Sequence, residues 1–435
     1  MKCTPAALSI LFLAGLEPAG GQSFTFVEAY FDGEVQGPAT IDGLSDAFAS
    51  AVSPDGDHVY VCSGIANLVG SDNAIAAFSR AATGRLTFVE VEFDDGDGGA
   101  ADGLDSCRDV VVSPDGEHVY TAGFSDSKIG IFDRDAVTGE LTFDSVVEDG
   151  VGFDGLAGVE ALAMTADGQH LFAVGSIDDA LVAFSRDPVS GALTFEDVER
   201  EGLGGVSGLD RPVDVAVSPD GGSVYTAAGS NENFMGSDAV ALFAWDGAGG
   251  DLSFVESYVE GATQGANTID GLHRVSSVVV SPDGAHVYAT GGVDPVGDRD
   301  WIAIFSRAPA TGVLTWLEAI DHFLFCDFDI LFGFETDAVL HPDGERAFIT
   351  SGASAVTEFS RDAVSGSLTF ADAECLFDNL SLGINLPRKI SLDPTGTHFY
   401  VPGQADDAVA VFDTDGIFTD GFESGDTSAW SSASP

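Results

Sequence analysis

Short apolar runs separated by turn residues recur along most of the chain. One stretch shows the pattern clearly, with runs at Val110–Val112, His118–Tyr120, Ile129–Phe132 and Leu141–Phe143. Runs this short, rich in β-branched and aromatic residues and bounded by Gly, Pro or Asp, are typical of β-strands. The stretch therefore predicts an antiparallel sheet of four short strands, which we label A to D in chain order.

A turn motif between strands A and B marks each repeat. Ser-Pro-Asp-Gly begins at residues 53, 113, 218 and 281, and related tetrapeptides begin at Thr165, His341 and Asp393. Pro presets the backbone for the second position of a tight turn, and Asp and Gly suit the next two positions. The seven starts lie 52 to 63 residues apart, which is enough for four short strands each. Seven such repeats predict an all-β, seven-bladed β-propeller of four-stranded antiparallel blades.

The two ends of the repeat region complement each other. The last repeat has no strand D after Val409–Phe412, whereas Phe24–Glu28 near the N-terminus matches Leu252–Glu256, the strand D of the fourth repeat. We therefore expect the N-terminal strand to complete the last blade, which would remove an open sheet edge and close the ring.

The chain divides into three parts. Residues 1–21 have the pattern of a secretory signal, with Lys2 as the only charge before the short apolar stretch Ala6–Leu16. The propeller is expected over residues 22–415, followed by a flexible tail rich in Ser, Gly and Asp at 416–435. No apolar run is long enough to span a bilayer. We therefore expect a secreted or periplasmic protein, and a monomer.

Charge excludes some classes of partner. The chain has 16 Lys and Arg against 71 Asp and Glu, a formal net charge of −55. Nucleic-acid binding needs a basic face, so this class is excluded. Most of the acids are expected to form a solvated surface. The alternative is that some bind cations, for which the candidates are the calcium-like loop Asp94–Asp97 and a ring of Asp42, Asp102, Asp154 and Asp270 in Asp-Gly-Leu motifs.

The repeats resemble a known family. Val-Ser-Pro-Asp-Gly-x-His-Val-Tyr, followed by Ala-Ile-Ala-x-Phe-Ser-Arg and Thr-Gly-x-Leu-Thr-Phe, is similar to the YVTN-type repeats of lactonase-like seven-bladed propellers. That family includes 6-phosphogluconolactonase-like proteins and carboxymuconate cyclases, and the resemblance covers about residues 24–415. It implies an enzyme that hydrolyses or forms a lactone ring of an anionic sugar or dicarboxylic acid. No cofactor would be required, and calcium is the one metal we consider.

The alternative is a non-catalytic extracellular propeller that binds a partner or a polysaccharide through its loop-rich face. No nucleophile elbow, metalloprotease motif or phosphate-binding loop is present in the sequence. The repeat motifs themselves describe the scaffold, so activity has to be argued from a site.

Five of the few Lys and Arg residues lie at or just before the start of strand A in their repeats. In an acidic chain such a cluster is unexpected, and Arg side chains suit carboxylate or phosphate groups. We therefore predict an anion-binding site, with pairing to Asp105, Asp109, Asp210 or Asp214 as the structural alternative. The predicted substrate-binding residues are Arg108, Arg211, Arg274, Arg388 and Lys389.

A lactonase also needs a general base near this site. His273, Glu160 and Asp109 are the candidate catalytic residues, although a loop histidine such as His273 is more often simply solvated. A second set of arginines recurs at one repeat position after strand C and is interpreted as scaffold: Arg80, Arg134, Arg186, Arg307 and Arg361.

Four cysteines follow the predicted signal: Cys62, Cys107, Cys326 and Cys375. No Cys-x-x-Cys pair is present, so a zinc or thioredoxin-like site is not indicated. Export favours disulfides. Positions on the predicted blades favour the pairs Cys62–Cys107 and Cys326–Cys375, although spacing alone leaves other pairings open.

Overall fold

Seven four-stranded antiparallel sheets follow one another along the chain in a computed structural model. The structure describes residues 24–65, 71–229, 236–292, 301–321, 337–351, 355–375 and 383–414. Strand A of one blade contacts strand A of the next blade from blade 1 to blade 6 and again between blades 7 and 1, so the strands A surround a central channel. The predicted seven-bladed propeller is confirmed.

The strands of each blade, in the order A to D, have the following bounds. Blade 1 has Ala47–Val52, His58–Ser63, Ala74–Arg80 and Leu86–Phe93. Blade 2 has Cys107–Val112, His118–Gly123, Lys128–Arg134 and Leu141–Glu148. Blade 3 has Val159–Met164, His170–Gly175, Ala180–Arg186 and Leu193–Arg200. Blade 4 has Pro212–Val217, Ser223–Ala228, Ala239–Asp246 and Asp251–Val259.

The remaining three blades follow the same plan. Blade 5 has Val275–Val280, His286–Gly291, Trp301–Arg307 and Leu314–Asp321. Blade 6 has Ala338–Leu340, Arg346–Ser351, Ala355–Arg361 and Leu368–Cys375. Blade 7 has Ser391–Leu392, His398–Gly403, Ala408–Asp413 and, as strand D, Thr25–Phe31.

The N-terminal strand closes the ring as predicted. Thr25–Phe31 pairs antiparallel with Ala408–Asp413, from Thr25 opposite Asp413 to Phe31 opposite Ala408. Phe24, just before this strand, is fully buried and packs edge-on against Phe348 of blade 6, at 6.1 Å between ring centres. The first and last parts of the propeller therefore share one sheet.

Short additional elements lie in the loops. Two-residue strands form small hairpins before blades 1 and 5, and 3₁₀ turns occur at Asp95–Asp97 and Gln404–Asp406. Among the residues that the structure describes, no helix has the length and hydrophobicity needed to cross a bilayer.

The core consists of apolar layers between neighbouring blades. The leucine of the Asp-Gly-Leu motif contributes to several of these layers, because Leu44, Leu104 and Leu156 are all fully buried. Leu44 packs with Val61 of blade 1 and Val409 of blade 7. Burying one such side chain contributes about 2 kcal/mol. The leucine of this motif therefore wedges neighbouring blades together.

Cys62, near the end of strand B of blade 1, forms a disulfide with Cys107, the first residue of strand A of blade 2. Their Cα atoms are 5.7 Å apart, and the bond links two adjacent blades. Cys326 lies outside the described residues, so the pair Cys326–Cys375 stays a prediction.

An ion network of one recurring arginine fastens five of the blades to the blade before them. Arg134 of blade 2 donates to the Asp55 carboxylate and to the Tyr60 hydroxyl of blade 1, each at 2.8 Å. It also lies 2.8 Å from Nδ1 of His58. The recurring arginines are therefore scaffold, as the repeat indicated. The equivalent arginines in other blades are Arg80, Arg186, Arg307 and Arg361.

Candidate active site in the central channel

Strand A contains a β-bulge in five of the blades. In blade 3, Val159 pairs with Gly175 and Ala161 pairs with Val174, so Glu160 is the extra residue. A bulge interrupts the alternation of side chains along a strand. Two consecutive residues of strand A can therefore both reach the channel.

These two residue positions form two rings around the channel. The inner ring is the residue four positions before each turn motif: Ala49, Asp109, Ala161, Asp214, Ser277, Asp337 and Lys389. The entrance ring is the residue before it: Phe48, Arg108, Glu160, Val213, Ser276 and Arg388, with residue 336 outside the described part of the chain.

The inner ring holds a compact ion cluster. Nζ of Lys389 lies 2.9 Å from the Asp109 carboxylate and 3.3 Å from the Asp214 carboxylate. The Asp109 and Asp214 side chains are each only 11% exposed, and that of Lys389 is 20% exposed. Two of the predicted site residues, Asp109 and Lys389, are thus direct partners. The structural alternative named Asp109 and Asp214 as partners of the arginines, but both carboxylates pair with Lys389.

Each aspartate of the inner ring also joins two blades. The carboxylate of Asp109 accepts a hydrogen bond from the backbone N–H of Leu162 in blade 3, at 2.9 Å. Asp214 accepts in the same way from Val278 of blade 5, and Asp337 from Ile390 next to strand A of blade 7, both at 2.9 Å. The three carboxylates therefore fasten blades 2, 4 and 6 to the blades that follow them.

The ion cluster changes the proton affinities of its members. Burial opposes the charge of Lys389, but the carboxylates of Asp109, Asp214 and Asp337 outweigh burial and raise its pKa. Burial raises the pKa of Asp109 even though Lys389 acts in the opposite direction. Burial, reinforced by the negative charge of Asp214, raises the pKa of Asp337 to about 7.

Two cavities meet at this cluster. On the side of the A–B turns a cavity of about 360 Å³ is lined by Asp109, Asp214, Asp337, Lys389 and apolar residues such as Val280. On the side of the D–A loops a cavity of about 30 Å³ lies beneath the entrance. Its lining is Phe48, Glu160, Val213, Ser276, Asp337, Arg388 and Lys389. Asp337 and Lys389 line both cavities and so stand between them.

Arginines and aromatic rings surround the entrance. The guanidinium carbon of Arg108 lies 4.5 Å from the ring centre of Phe48 and 5.2 Å from that of Phe124. The guanidinium carbon of Arg388 lies 5.1 Å from the same Phe48 ring. Cation–π contacts of this kind hold guanidinium groups without neutralising them. The entrance ring therefore carries two positive charges on one aromatic platform.

The two arginines differ in their hydrogen bonds. Arg388 donates from Nε and Nη2 to Oε1 of Gln404, at 2.7 and 2.5 Å. Arg108 forms no salt bridge with a described carboxylate, and its buried Nε has no acceptor among the described residues. Glu160 accepts a hydrogen bond from the Ser176 hydroxyl at 3.2 Å. Arg108 is thus the entrance arginine that has no carboxylate partner among the described residues, although its unpaired Nε is buried.

Three other predicted site residues lie in the D–A turns. Arg211 and Arg274 occupy equivalent positions with left-handed backbone, at φ of +59° and +50°, in blades 4 and 5. The backbone N–H of Arg274 and Nδ1 of His273 contact the same carboxylate, that of Asp238, at 2.9 and 3.1 Å. None of the three lines either channel cavity. Arg388 and Lys389 line the channel cavities, whereas Arg108 reaches the entrance only through its contact with the Phe48 ring. His273, Arg211 and Arg274 lie on the surrounding loops.

Sequence reasoning missed two members of the inner ring as site residues. Asp214 was considered only as a structural partner, and Asp337 was not considered. The available signal was the register: counting four positions back from each turn motif yields Asp109, Asp214, Asp337 and Lys389 in blades 2, 4, 6 and 7.

The Asp-Gly-Leu aspartates do not form one ring. The structure places three of them in separate acidic clusters, because each lies in its own D–A loop beside the B–C loop of the same blade. The clusters are Asp32–Asp42–Asp72, Asp94–Asp102–Asp126 and Asp149–Asp154–Asp178. Lys128 contacts Asp102 at 2.9 Å and Arg200 contacts Asp154 at 2.8 Å, so two clusters have a cation of the protein. Calcium binding stays a prediction.

The calcium-like loop has a structural role in the protein. One carboxylate oxygen of Asp94 accepts from the N–H of Gly96 at 3.0 Å and caps the short 3₁₀ turn. The other accepts from the N–H of Leu104 at 3.1 Å. Both oxygens of Asp94 therefore hold the loop in shape.

The fold and the channel define a seven-bladed propeller with a cationic entrance above a buried ion cluster. A family model described as "Lactonase, 7-bladed beta-propeller" matches residues 34–148, which include blades 1 and 2. This match confirms the resemblance found in the repeats. The chain is a seven-bladed propeller that is similar to the lactonase family over blades 1 and 2.

Solved structures share the fold at low sequence identity. A putative 6-phosphogluconolactonase from Bacteroides uniformis has 19% identity and a TM-score of 0.57, with 78% of this chain and 87% of that chain covered. The periplasmic gluconolactonase of Pseudomonas aeruginosa has 18% identity and a TM-score of 0.55, covering 79% and 89%.

Similarity of fold extends beyond lactonases. Hydrazine synthase from Kuenenia stuttgartiensis has 16% identity and a TM-score of 0.58, covering 87% of this chain and 98% of that chain. No curated protein sequence matches the chain. Function therefore has to be argued from the channel residues.

Proposed function

We propose that the protein is an exported lactonase that opens the ring of an anionic lactone at the entrance of the channel. The observation that carries this proposal is that Arg388 and Glu160 line one cavity beneath the entrance, with Arg108 over the same Phe48 ring as Arg388, in a chain of net charge −55. The signal-like residues 1–21 support export to a secreted or periplasmic location. A sugar lactone with a carboxylate or phosphate fits the two positive charges.

Arg108 and Arg388 would bind the anionic group of the substrate. Both guanidinium groups lie over the ring of Phe48. Arg108 has no carboxylate partner among the described residues. Arg side chains bind carboxylate and phosphate through paired hydrogen bonds. The acidic surface repels an anion at long range, so binding of the substrate would depend on the local positive charge of the two arginines.

Glu160 would act as the general base. It lines the cavity of about 30 Å³ beneath the entrance. This volume is close to the share of one water molecule in the liquid. A water there would be next to the Glu160 carboxylate and below a lactone held by the two arginines.

The reaction balances without a cofactor. Glu160 accepts a proton from water as the oxygen attacks the lactone carbonyl carbon. The acyl C–O bond of the ring then breaks, and the proton passes from Glu160 to the departing alkoxide. The product is a hydroxy acid, whose new carboxyl group ionises at neutral pH and releases one proton to the solvent. Lys389, below Glu160, would stabilise the developing negative charge electrostatically.

A non-catalytic binding propeller is the second candidate. The observation that favours it is the occupied inner ring: Asp109, Asp214 and Lys389 already satisfy one another and fasten blades together. In that case the entrance would bind an anionic extracellular ligand without turnover.

Ring opening of a lactone panel by the purified mature chain distinguishes the two functions. The panel contains phosphorylated and free sugar lactones and a muconolactone, and acid release is followed by titration. We expect turnover of a charged lactone, a loss of kcat of about 100-fold or more in Glu160→Gln, and a raised KM in Arg108→Met. Arg85→Ala, which removes an exposed arginine paired with Glu28, is the matched control.

The outcomes separate cleanly. No turnover of any lactone by a folded protein would favour the binding propeller. Turnover that survives Glu160→Gln would refute the assignment of the base, and an unchanged KM in Arg108→Met would refute the anion site.

A further inference from the structure

The seven contacts between neighbouring blades are equivalent in the repeat, so a difference in one of them can be recognised by comparison with the others. A junction is the contact between the end of strand C in one blade and the A–B turn of the preceding blade, and all seven lie within the described residues. In five junctions an arginine bonds an acid of the preceding turn and a tyrosine hydroxyl. In the junction of blades 6 and 7, Arg346 of blade 6 fills this role and bonds His341 at 2.7 Å and the Thr414 carbonyl at 2.9 Å.

The junction of blades 3 and 4 is the exception. Trp245 stands where five other blades have arginine, and Phe172 stands where the arginine's tyrosine partner would be. The Trp245 ring packs edge-on against Phe172 and His170, with ring centres 5.1 Å apart in both cases. This is the one junction of the seven that contains no guanidinium group.

In this junction without a guanidinium group, two buried polar groups have no hydrogen-bond partner among the described residues. Nδ1 of His170, which in four other junctions lies beside an arginine, has no hydrogen-bond partner among the described residues. Trp245 is 8% exposed, and its indole N–H has no acceptor there either. Each buried, unsatisfied polar group costs about 1–3 kcal/mol. If Trp245 had replaced arginine for packing alone, we would not expect two buried polar groups, Nδ1 of His170 and the indole N–H of Trp245, to remain without hydrogen-bond partners.

The acid of this junction lacks a cation as well. Asp167 uses Oδ1 to accept hydrogen bonds from Thr165 at 2.6 Å and from the N–H of Gln169 at 3.0 Å. Its Oδ2 has no donor in the described part of the chain. These hydrogen bonds hold the pKa of Asp167 below its usual range, so the group is an ionised acceptor.

A groove of about 540 Å³ opens beside these groups, on the face opposite the channel entrance. Its lining includes Asp167, Gln169, His170, Asp220, Trp245 and Gly247. A carbon added to Gly247 would lie 3.2 Å from both Nε1 of Trp245 and Nε2 of His170, so the indole nitrogen lies beneath this glycine turn, whereas the unpaired Nδ1 is the other ring nitrogen of His170. The turn contains Gly247, Gly249 and Gly250, and the N–H groups of Ala248, Gly249 and Gly250 bond Asp246. A ligand in the groove has to displace this turn to reach the indole N–H of Trp245.

We propose that this groove is a binding site for a neutral carbohydrate. A sugar hydroxyl both donates and accepts, so one ligand class could accept from the Trp245 indole and donate to Asp167 and His170. A guanidinium or ammonium ligand could not accept from the indole, and an anion would be repelled by Asp167. The volume of the groove lies in the usual range for small-ligand sites. The site is independent of the channel and of the proposed lactonase activity.

Calorimetric titration of the mature protein with cellobiose, maltose and glucose tests the proposal. We expect at least one sugar to bind, and its affinity to fall about tenfold in Trp245→Phe, which keeps an aromatic ring but removes the N–H donor. Trp245→Arg restores the residue of the other junctions and is expected to abolish sugar binding while raising the melting temperature. The matched control is Trp316→Phe, a Trp of blade 5 whose indole already bonds the Asp270 carbonyl at 3.1 Å.

Methylguanidinium is titrated in parallel as the competing ligand class. Binding of methylguanidinium with no binding of any sugar would overturn the carbohydrate assignment and indicate a cation site. No binding of any sugar, or sugar binding that is unchanged in both Trp245 variants, would also overturn it. Circular dichroism of each variant checks that a lost signal comes from the site and not from unfolding.

Discussion

The blade junctions and the inner ring both use Arg, Lys and Asp, but in opposite ways. At five junctions the same set of partners recurs around one arginine, as Arg134 does with Asp55 and Tyr60. In the inner ring, aspartates occupy blades 2, 4 and 6 and the single lysine occupies blade 7. The junctions follow the repeat, whereas the ring departs from it.

The difference teaches where to look for chemistry in a repeat protein. A residue that recurs in every repeat supports the contact between neighbouring repeats. A charged residue that occurs in only some repeats, at a position where the other repeats have alanine or serine, is not needed for the contact between repeats. Its role has to be sought in the channel that it lines. The same rule identified Trp245, the residue that breaks the series of junction arginines.

Removing the lysine of the inner ring should have the largest effect on stability. Lys389→Met leaves the carboxylates of Asp109 and Asp214 without their cation in a buried site. Loss of one partner from a buried ion pair costs about 3–5 kcal/mol. Urea unfolding followed by circular dichroism should show this loss at pH 7. A loss below about 1 kcal/mol would mean that the channel is well hydrated and that the ring is not a buried cluster.

A junction arginine should matter less. Arg134→Ala removes a fully buried side chain, but its partner Asp55 is 36% exposed and can be rehydrated. We expect a loss of about 2 kcal/mol in the same unfolding experiment. A double-mutant cycle with Asp55→Ala measures the coupling. If Arg134→Ala cost more than Lys389→Met, the junctions and not the ring would be the main electrostatic support of the fold.

The sequence predicted the parts of the fold that repeat. Turn chemistry and strand pattern gave the seven blades, and the match between Phe24–Glu28 and Leu252–Glu256 predicted the closing strand. These features depend on local sequence and on alternation, both of which can be read along the chain. The Cys62–Cys107 bond also follows from the placement of neighbouring blades.

The channel was harder to predict, for a physical reason. Strict alternation along strand A would send only every second side chain to the channel, but the bulges bring two consecutive residues there. Without the bulge at Glu160, its place beside Lys389 and Arg388 could not be deduced. The contacts of Asp337 with blade 7 depend on closing the whole ring, which no local pattern reports.

The inner ring and the blade junctions should also differ in how their acids make the free energy of unfolding depend on pH, which is the smallest of the expected effects. The pKa of Asp337 is raised to about 7 by burial and by Asp214, with Lys389 acting against the rise. The folded state therefore binds this proton more tightly than the unfolded chain, and the stability from Asp337 is lost as pH rises from about 4 to 7. The slope from one such group is at most about 1.4 kcal/mol per pH unit.

Asp337→Asn removes that titration and keeps the shape of the side chain. We expect the variant and the wild type to be similarly stable near pH 4, and the variant to gain relative to the wild type as pH approaches 8. The pKa of the junction acid Asp55 is shifted in the opposite direction, to about 2. Burial alone would raise it, but hydrogen bonds from Ser53 and the Asp57 N–H, together with Arg134, outweigh burial. Asp55→Asn should therefore lose stability relative to the wild type above pH 4. Parallel curves for the two variants would show that ring and junctions do not differ in proton affinity.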